Sequence, residues 1–291
     1  MAELADVQDL DSCVARRVGS TPTTRTIYRR LVMPKFFVMS DIHSFYDEMM
    51  VALNDEGYNV ANEDHYIVVC GDLFDRGPKP VEVFTFFMNT PRCILVRGNH
   101  EDLFEDCCHR ELALSHDYSN GTFDTVTQFG SIGTSIKNMT PQKVFRNALE
   151  YAKPLFNKLV DYFETKKYIF VHGWIPVSDA PSIYVKDEYP RYFHENWREM
   201  GDKAWSVARW ENGMELAEHG IAEPYKLTVC GHWHTSWAHS YFDNDGPEWG
   251  PGANFYPYWS DGVIGIDACT AYSHMVNCIV LEDEFLDEFS Q

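Results

Sequence analysis

The sequence lacks the features of an exported or membrane-bound protein. No run approaches the roughly 18 apolar residues of a membrane span, and the first residues contain no apolar segment typical of a signal peptide. The eight cysteines form no Cys-x-x-Cys pair, and several lie inside apolar runs, where cysteine behaves as a small hydrophobic residue. These absences favour a soluble protein of the reducing cytoplasm.

Basic residues are scarce. The chain has 24 Lys and Arg against 44 Asp and Glu, which gives a formal net charge of −20. Such a surface repels nucleic acid phosphates, except where metal ions or local arginines reverse the field. We therefore expect no nonspecific nucleic-acid partner and no membrane partner. No internal repeat of about 20–50 residues is present, and nothing indicates an oligomeric state.

What is present suits one globular domain with a sizeable core, since 45% of the 291 residues are hydrophobic and 15% are aromatic. Residues 1–33 are predicted to be an N-terminal extension, either a poorly ordered leader or a recruiting or targeting arm. Residues 34–291 would form the folded domain. An aromatic-rich insert at about residues 174–224 is either a lid over a crevice or an irregular loop with aromatic anchors.

Five apolar runs are each followed at once by side chains that can bind a metal ion or a phosphate group. In open sheets, ligands bind at the carboxyl ends of the strands, so five such ends can converge on one crevice. The runs are Phe36–Met39, Tyr66–Cys70, Cys93–Val96, Tyr168–Val171 and Leu227–Cys230. The segments that follow them are Ser40-Asp41-Ile42-His43, Gly71-Asp72-Leu73-Phe74-Asp75-Arg76-Gly77, Arg97-Gly98-Asn99-His100-Glu101, His172-Gly173 and Gly231-His232-Trp233-His234.

Asp72 has two explanations. Its carboxylate could bridge two metal ions, which lie roughly 3.5–4 Å apart in two-metal hydrolytic sites. Taken alone, Asp72 is better explained as a cap on the next helix, with Asp75 paired to Arg76. The four other strand ends favour the metal site.

The remaining chain is predicted in less detail. Phe45–Leu53 and Pro80–Met88 have the character of helices, and the first of them makes a βαβ unit with the strands on either side. Val263–Ala268 and Met275–Leu281 are predicted to form a strand pair that completes a sheet.

In this order, the motifs Asp-x-His, Gly-Asp-x-x-Asp-Arg-Gly, Arg-Gly-Asn-His-Glu, His-Gly and Gly-His-x-His resemble the calcineurin-like metallophosphoesterases. The second and third are most similar to the Ser/Thr phosphoprotein phosphatase branch, including its bacterial and bacteriophage members. The resemblance spans about 200 residues and is specific for chemistry rather than for substrate. It implies an α/β fold, a four-layer αββα sandwich of two mixed β-sheets with the metal site at the C-terminal strand ends.

The resemblance also implies ligands for two divalent metal ions. The first ion would be held by Asp41, His43 and Asp72, with His234 as a further ligand. The second would be held by Asp72, Asn99, His172 and His232. The Ser/Thr branch often uses only the first histidine of Gly-His-x-His, so the role of His234 stays open. Carboxylate and imidazole ligands suit Mn, our first choice, and also Fe, Zn or Co.

Two cations that share a water would lower its pKa enough to supply a bridging hydroxide, which attacks phosphorus in line. His100 is the predicted proton donor to the leaving group, with Asp75 as its orienting partner. The alternative for Asp75 is an ion pair with Arg76.

Arginines are the expected ligands of the substrate phosphate. Arg76 and Arg97 stand in the motifs, and Arg209 lies in the region where the family carries a phosphate-clamping arginine. Arg97 could instead be bound to a neighbouring carboxylate. Arg191 and Arg198 are alternatives to Arg209.

The predicted function is hydrolysis of phosphomonoesters, with a phosphorylated protein or a small phosphoester as substrate. By resemblance, a Ser/Thr-type protein phosphatase comes first. The alternatives, in order, are a dinucleoside polyphosphate hydrolase, a phosphodiesterase and a non-catalytic, metal-stabilised binding module.

Overall fold

The computed structural model describes residues 33–179 and 191–286, except for the side chains of Ile136 and Asp179. The predicted N-terminal extension lies outside the described residues apart from Met33, as does part of the predicted insert.

The described residues contain twelve strands and ten α-helices. The strands are β1 (Lys35–Met39), β2 (His65–Cys70), β3 (Cys93–Val96), β4 (Leu159–Val160), β5 (Phe163–Glu164), β6 (Tyr168–Phe170), β7 (Val177–Asp179), β8 (Arg191–Phe193), β9 (Leu227–His234), β10 (Tyr258–Ser260), β11 (Val263–Asp267) and β12 (Cys278–Glu282). The helices are α1 (Tyr46–Asp55), α2 (Pro80–Asn89), α3 (Asn99–Arg110), α4 (Ser115–Asn120), α5 (Thr122–Gly130), α6 (Pro141–Phe156), α7 (Asp202–Ala208), α8 (Gly213–Glu218), α9 (Thr235–Ala238) and α10 (Thr270–Ser273).

The strands form two five-stranded sheets and a separate hairpin of β7 and β8. The first sheet has the order β12-β1-β2-β3-β4, and only β12 runs antiparallel to its neighbour. The second has the order β10-β11-β9-β6-β5, with β10 and β5 antiparallel at its edges. Both sheets are therefore mixed.

Side chains alternate between the two faces of each strand and so define the layers. In β1, Phe36 and Val38 point into a core whose buried members all lie on strands of the two sheets. Phe37 and Met39 point into a second core shared with helices α1, α2, α3, α5 and α6. A third core lies between the second sheet and helices α7, α8 and α9. The predicted four-layer αββα sandwich is confirmed.

The five predicted strands that precede the motifs are all present, but the prediction for the C-terminal strands is wrong in one respect. They do not pair with each other. β11 lies between β9 and β10 in the second sheet, whereas β12 crosses to the first sheet and pairs with β1. Alternation along a strand shows that it has buried faces, but it does not show which neighbour accepts its backbone hydrogen bonds.

The described part of the aromatic-rich insert contains β7, β8, α7 and α8. The side chains of Trp174, Trp197 and Trp205 are buried in the core beneath the second sheet. Large aromatic rings bury enough apolar area to build this layer with few aliphatic residues. The insert thus supplies part of the outer helical layer.

The described residues contain neither a disulfide nor a helix that could cross a membrane. The seven cysteines of the described residues are free thiols. Every helix in the described ranges is too short or too polar to cross a lipid bilayer.

A charge network ties the insert to the second sheet. The carboxylate of Glu164 on β5 accepts hydrogen bonds from Arg198 at 2.6 and 2.8 Å and from Lys226 at 2.5 Å. Arg198 also reaches Glu223 and lies 4.1 Å from the ring centroid of Trp197. Burial by itself would raise the pKa of Glu164, but the hydrogen bonds from Arg198 and Lys226 outweigh it and lower the pKa.

Replacing this carboxylate should destabilise the fold in a pH-dependent way. We expect Glu164→Gln to lower the free energy of unfolding at pH 7 by on the order of 2 kcal/mol. This is below the value for a fully buried pair, because the side chain of Arg198 is 31% exposed. The folded-state pKa lies below the ordinary 4.5, so the stabilisation is present at neutral pH and is lost as the pH falls through the folded-state pKa.

Urea unfolding of the wild type and of Glu164→Gln at pH 7 and about pH 3.5 measures the effect. The difference between the two proteins should shrink at the lower pH. Glu150→Gln, a change of an exposed carboxylate on α6, is the control and should leave stability unchanged. An equal difference at both pH values would contradict the assignment.

Candidate metal centre

The five predicted strand ends meet at one place between the two sheets. From the first sheet, Gly71 O accepts a hydrogen bond from the backbone N–H of Asp41 at 3.2 Å. Across the sheets, Nδ1 of His172 lies 2.8 Å from Cys70 O, and the backbone N–H of His232 donates to Oδ2 of Asp41 at 2.9 Å. The ends of strands from both sheets therefore form a single crevice.

The backbone is strained at these strand ends. Residues other than glycine rarely adopt a positive φ, and such residues cluster at functional sites where the surrounding structure holds them. Here several site residues do so: Asp41 (φ 49°), His43 (φ 48°), Asp72 (φ 55°), Asp75 (φ 74°), Arg76 (φ 59°) and His232 (φ 67°).

Two glycines let the loops approach each other. A Cβ atom on Gly231 would overlap Ser40 Oγ and Oδ2 of Asp41, and one on Gly98 would overlap the backbone N and Oδ1 of Asp72. Any larger residue would push a carboxylate out of the crevice, so the absence of a side chain at both positions is part of the site.

The metal-binding atoms form two groups that share Asp72. The candidate ligand atoms of His43, Asp72 and His100 all lie within 4.8 Å of one another, and so do those of Asp72, His172 and His232. One carboxylate in two groups is the arrangement expected of a bridging ligand.

Two of the three remaining predicted ligands adjoin these groups. Oδ1 of Asp41 lies 3.9 Å from Nε2 of His43. Oδ1 of Asn99 lies 2.7 Å from Nε2 of His172. The structure thus brings together Asp41, His43, Asp72, Asn99, His172 and His232.

The protonation of His43 fits a cation at this place. Burial lowers its pKa well below the ordinary value, and the charges of Arg76 and His100 lower it further, so the ring is neutral. Its Nδ1 faces the carbonyl of Phe74 at 2.9 Å and must carry the proton, because a carbonyl only accepts. The lone pair of Nε2 then points towards Asp72 Oδ2 at 3.6 Å, an electrostatically poor contact that a cation between the two atoms would relieve.

Burial and neighbouring charges shift the pKa values of the carboxylates and imidazoles in the crevice. Burial raises the pKa of Asp41 to about 6. Burial also opposes ionisation of Asp72, but the charges of His172 and His100 hold its pKa well below the ordinary value. Burial and the neighbouring His172 lower the pKa of His232 to about 3. Asp72 therefore stays ionised and His232 stays neutral, which are the forms that bind metal ions.

His100 and Asp75 form the predicted pair beside the shared carboxylate. Nδ1 of His100 lies 2.7 Å from Oδ2 of Asp75, and its Nε2 lies 3.3 Å from a guanidinium nitrogen of Arg76. Burial lowers the pKa of His100, but Asp72 and the hydrogen bond to Asp75 raise it above its ordinary value. The carboxylate of Asp75 thus faces His100 rather than Arg76.

His100 also belongs to one of the two ligand groups. The role of His100 as proton donor and the role of Asp75 as its orienting partner are proposals.

His234 has other partners. Its Nδ1 lies 2.9 Å from Ser236 Oγ, its Nε2 lies 3.4 Å from Glu248, and its ring lies 4.4 Å from that of Trp249. His234 belongs to neither ligand group of the described residues. The left-handed backbone at His232 interrupts the regular alternation of β9, so spacing by two does not ensure that both histidines face the same site.

Two predicted phosphate ligands are bound to carboxylates. Nε of Arg97 donates to Asp102 at 2.6 Å, and its guanidinium also contacts Glu105. Arg209, only 7% exposed, donates to Asp102 at 2.8 Å and to Asp161 at 2.5 Å. For Arg97, binding to a neighbouring carboxylate is the alternative to phosphate binding that the sequence left open. The contacts of both arginines do not favour phosphate binding.

Two further residues of the site received no role from the sequence. The buried carboxylate of Glu101 accepts hydrogen bonds from the backbone N–H groups of Asp72, Leu73 and Gly98 at 3.1, 2.9 and 2.8 Å. It locks two motif loops together, and its place at the third position of α3 is the capping-box signal that could have revealed it.

Asp267 ends β11 directly after an apolar run, the same design as the five recognised strand ends. Burial, and then the charge of Asp41, raise its pKa well above the ordinary value. A sixth strand end therefore borders the crevice.

Comparison with known proteins decides the family. A model described as calcineurin-like phosphoesterase matches residues 34–236, which is most of the chain. The chain belongs to this family. The predicted resemblance is confirmed, and the enzyme class of the family is that of metal-dependent phosphoester hydrolases.

Two curated relatives of this metallophosphoesterase are asymmetrical bis(5'-nucleosyl)-tetraphosphatases. The protein of Bacillus velezensis is 43% identical over 72 residues, which cover 22% of this chain and 29% of the relative. The protein of Halalkalibacterium halodurans is 26% identical over 158 residues, which cover 51% of this chain and 60% of the relative. The chain thus spans less than two thirds of the length of either relative.

Solved structures show weaker similarity to the metallophosphoesterase. A protein serine/threonine phosphatase of Saccharomyces cerevisiae is 15% identical, with 87% of this chain and 81% of that chain covered and a TM-score of 0.44. A cold-active protein-tyrosine phosphatase of a Shewanella species is 16% identical, with 86% and 76% covered and a TM-score of 0.43. Both TM-scores are too low to indicate a shared substrate.

Loss of the shared carboxylate should affect both ligand groups of the metallophosphoesterase. We expect Asp72→Asn to bind less than one equivalent of Mn after reconstitution and dialysis, where the wild type binds about two. Elemental analysis measures the ratio. Asp106→Asn removes an exposed carboxylate of α3 and should keep the wild-type metal content. Full metal content in Asp72→Asn would rule out a bridging role.

Proposed function

We propose that the protein hydrolyses phosphomonoesters at a centre of two divalent metal ions. The observation that carries this proposal is the sharing of Asp72 between two groups of ligand atoms, with the His100–Asp75 pair directly beside them.

Each ligand has a proposed place. Asp41, His43 and Asp72 would hold one ion, and Asp72, Asn99, His172 and His232 would hold the other. Divalent ions bound there supply a water of lowered pKa as the nucleophile and neutralise charge on the phosphoryl oxygens. Carboxylate with imidazole is a donor set suited to Mn, Fe, Zn or Co, and Mn is the proposed metal.

Arg76 is the proposed phosphate ligand. Its side chain is exposed, its backbone is held at a φ of 59°, and its guanidinium reaches the ring of His100. A guanidinium offers two parallel donors to phosphoryl oxygens. Arg97 and Arg209 differ, since both guanidinium groups are already bound to carboxylates.

His100 acts as the general acid in this scheme. As the bond between phosphorus and the leaving oxygen breaks, that oxygen takes the proton from Nε2 of His100. Asp75 accepts the hydrogen bond from Nδ1 and so fixes the direction of Nε2, which lies beside the guanidinium of Arg76. Asp72 and the hydrogen bond to Asp75 raise the pKa of His100 above its ordinary value, which favours the protonated ring that a proton donor requires.

The general acid can be separated from the metal ligands by substitution. We expect His100→Ala to lower kcat by about 10²–10⁴-fold while the metal content stays that of the wild type. Steady-state kinetics on a phosphoserine peptide, combined with elemental analysis, measures both quantities. Parallel loss of metal and activity would instead make His100 a ligand.

Two substrate classes compete. Phosphoserine or phosphothreonine in proteins is the first candidate, because the motifs around Asp72 and Asn99 are most similar to the Ser/Thr phosphatase branch. Dinucleoside polyphosphates are the second, and a specific contact favours them. The ring of Trp210 is 52% exposed and packs edge to face on His232, with 5.7 Å between ring centroids. The names of the two bacterial relatives point the same way.

Trp210 offers a test of the second class. Stacking of a base on an aromatic ring is worth about 1–3 kcal/mol, so Trp210→Ala should raise KM for diadenosine tetraphosphate by about 5–150-fold. KM for a phosphoserine peptide should not change, and Trp210→Phe should retain part of the affinity. Trp259→Ala, a change of another half-exposed tryptophan on β10, is the control. An unchanged KM for the dinucleotide would remove Trp210 from its recognition.

A substrate panel with added Mn decides between the classes and tests the function itself. Phosphate release is compared for a phosphoserine peptide, diadenosine tetraphosphate and a bis-aryl phosphodiester. If the diester is hydrolysed best, the monoesterase proposal is wrong. If none is hydrolysed and Asp72→Asn changes only stability, the protein is a metal-stabilised binding module.

A cytoplasmic location stays a prediction.

A further inference from the structure

A buried hydroxyl group lies behind the pair formed by His100 and Asp75. It belongs to Thr122, the first residue of α5, which stands outside the five motifs. The side chain is fully buried, and its Oγ1 donates a hydrogen bond of 2.6 Å to Oδ2 of Asp75. The same carboxylate oxygen faces Nδ1 of His100 at 2.7 Å.

The carboxylate is held from one side only. Oδ2 of Asp75 has two donors, Thr122 and His100, whereas its Oδ1 is buried and has no hydrogen-bond partner among the described residues. Rotation about the bond to the carboxylate group would exchange the two oxygens. With two donors on one oxygen the orientation is defined, and the second donor keeps it when His100 moves or loses its proton.

The first turn of α5 is built against this part of the site. The backbone N–H of Asp75 donates to Oγ1 of Thr125 at 3.2 Å. A Cβ atom on Gly121 would lie 2.5 Å from the backbone N of Arg76. The turn at Gly121 therefore approaches the backbone of Arg76 more closely than a residue with a side chain would allow. Thr122 therefore stands on a support that contacts both Asp75 and Arg76.

We propose that Thr122 is a positioning residue for proton transfer to the leaving group. The inference rests on the proposed role of His100 as general acid. The hydroxyl of Thr122 fixes Oδ2 of Asp75, this oxygen holds Nδ1 of His100, and Nε2 is thereby aimed at the leaving oxygen.

The protons balance in this step. The nucleophilic oxygen forms a bond to phosphorus, the bond to the leaving oxygen breaks, and that oxygen takes the proton from Nε2. His100 ends neutral and keeps the proton on Nδ1. Asp75 stays ionised, and Thr122 keeps its hydroxyl proton throughout.

This role predicts an effect that depends on the leaving group. An alkoxide needs a proton as it departs, whereas p-nitrophenolate is stable without one. Loss of the Thr122 hydroxyl should therefore slow hydrolysis of a phosphoserine peptide and have little effect on p-nitrophenyl phosphate. A merely structural defect would slow both substrates alike.

The test uses Thr122→Val, which keeps the branched shape and removes only the hydroxyl, with Thr122→Ser as the conservative variant. For Thr122→Val we expect kcat on the phosphoserine peptide to fall about 10-fold, the size of one hydrogen bond to a charged group. KM, metal content and kcat on p-nitrophenyl phosphate should stay within about 3-fold of the wild type. Thr122→Ser should restore most of the loss.

Thr228→Val is the matched control. Thr228 is a fully buried threonine of β9 whose hydroxyl has no partner among the described residues, so its loss should not change kcat on either substrate. If Thr122→Val does not fold, Thr122→Cys keeps a similar volume with a weaker donor and takes its place.

His100→Ala separates the possible failures. If His100→Ala slows both substrates alike, the proposed general acid is wrong. If His100→Ala slows the peptide selectively but Thr122→Val does not, only the role of Thr122 is overturned. An equal loss on both substrates in Thr122→Val, or a loss that Thr122→Ser does not restore, also overturns it.

Discussion

The structure depends on placing ionised carboxylates where water is excluded. Asp41 and Asp72 are 1–2% exposed and lie close enough for each to affect the ionisation of the other. Burying such charges is expensive unless cations or hydrogen-bond donors surround them. The histidines of the crevice, the backbone N–H groups of the motif loops and the proposed metal ions supply that surrounding. The ends of strands from both sheets meet at this point, and each sheet contributes part of that surrounding.

The loops around these carboxylates are held in strained conformations, and the fold keeps them there. Positive φ values at Asp72, Asp75 and His232 would relax if the segments were free. They persist because the strands before them are locked between the inter-sheet core and the helical layers. Glu101 adds a direct connection by binding the backbone of two motif loops at once. The large, rigid core thus maintains strained backbone conformations at a few residues of the site.

Arginine illustrates how far motifs can assign a role. Arg76 and Arg97 both stand beside metal-ligand motifs, yet their surroundings differ. Arg76 extends from a strained turn beside His100, whereas Arg97 lies against Asp102 and Glu105 at the start of α3. Asp102 also binds Arg209, so one carboxylate engages two of the three arginines predicted to bind phosphate. Whether a guanidinium is available to substrate depends on such neighbours.

The sequence alone determined the strands that precede the motifs and the six side chains that the crevice unites, because both leave local signals: an apolar run, and a polar residue where it ends. Tertiary structure decided the rest. It sent β12 to the first sheet, turned His234 towards Glu248, and brought Thr122 of α5 onto Asp75. Each of these outcomes joins residues far apart in the chain, and spacing along the sequence carries no information about which distant partner a side chain or strand edge will meet.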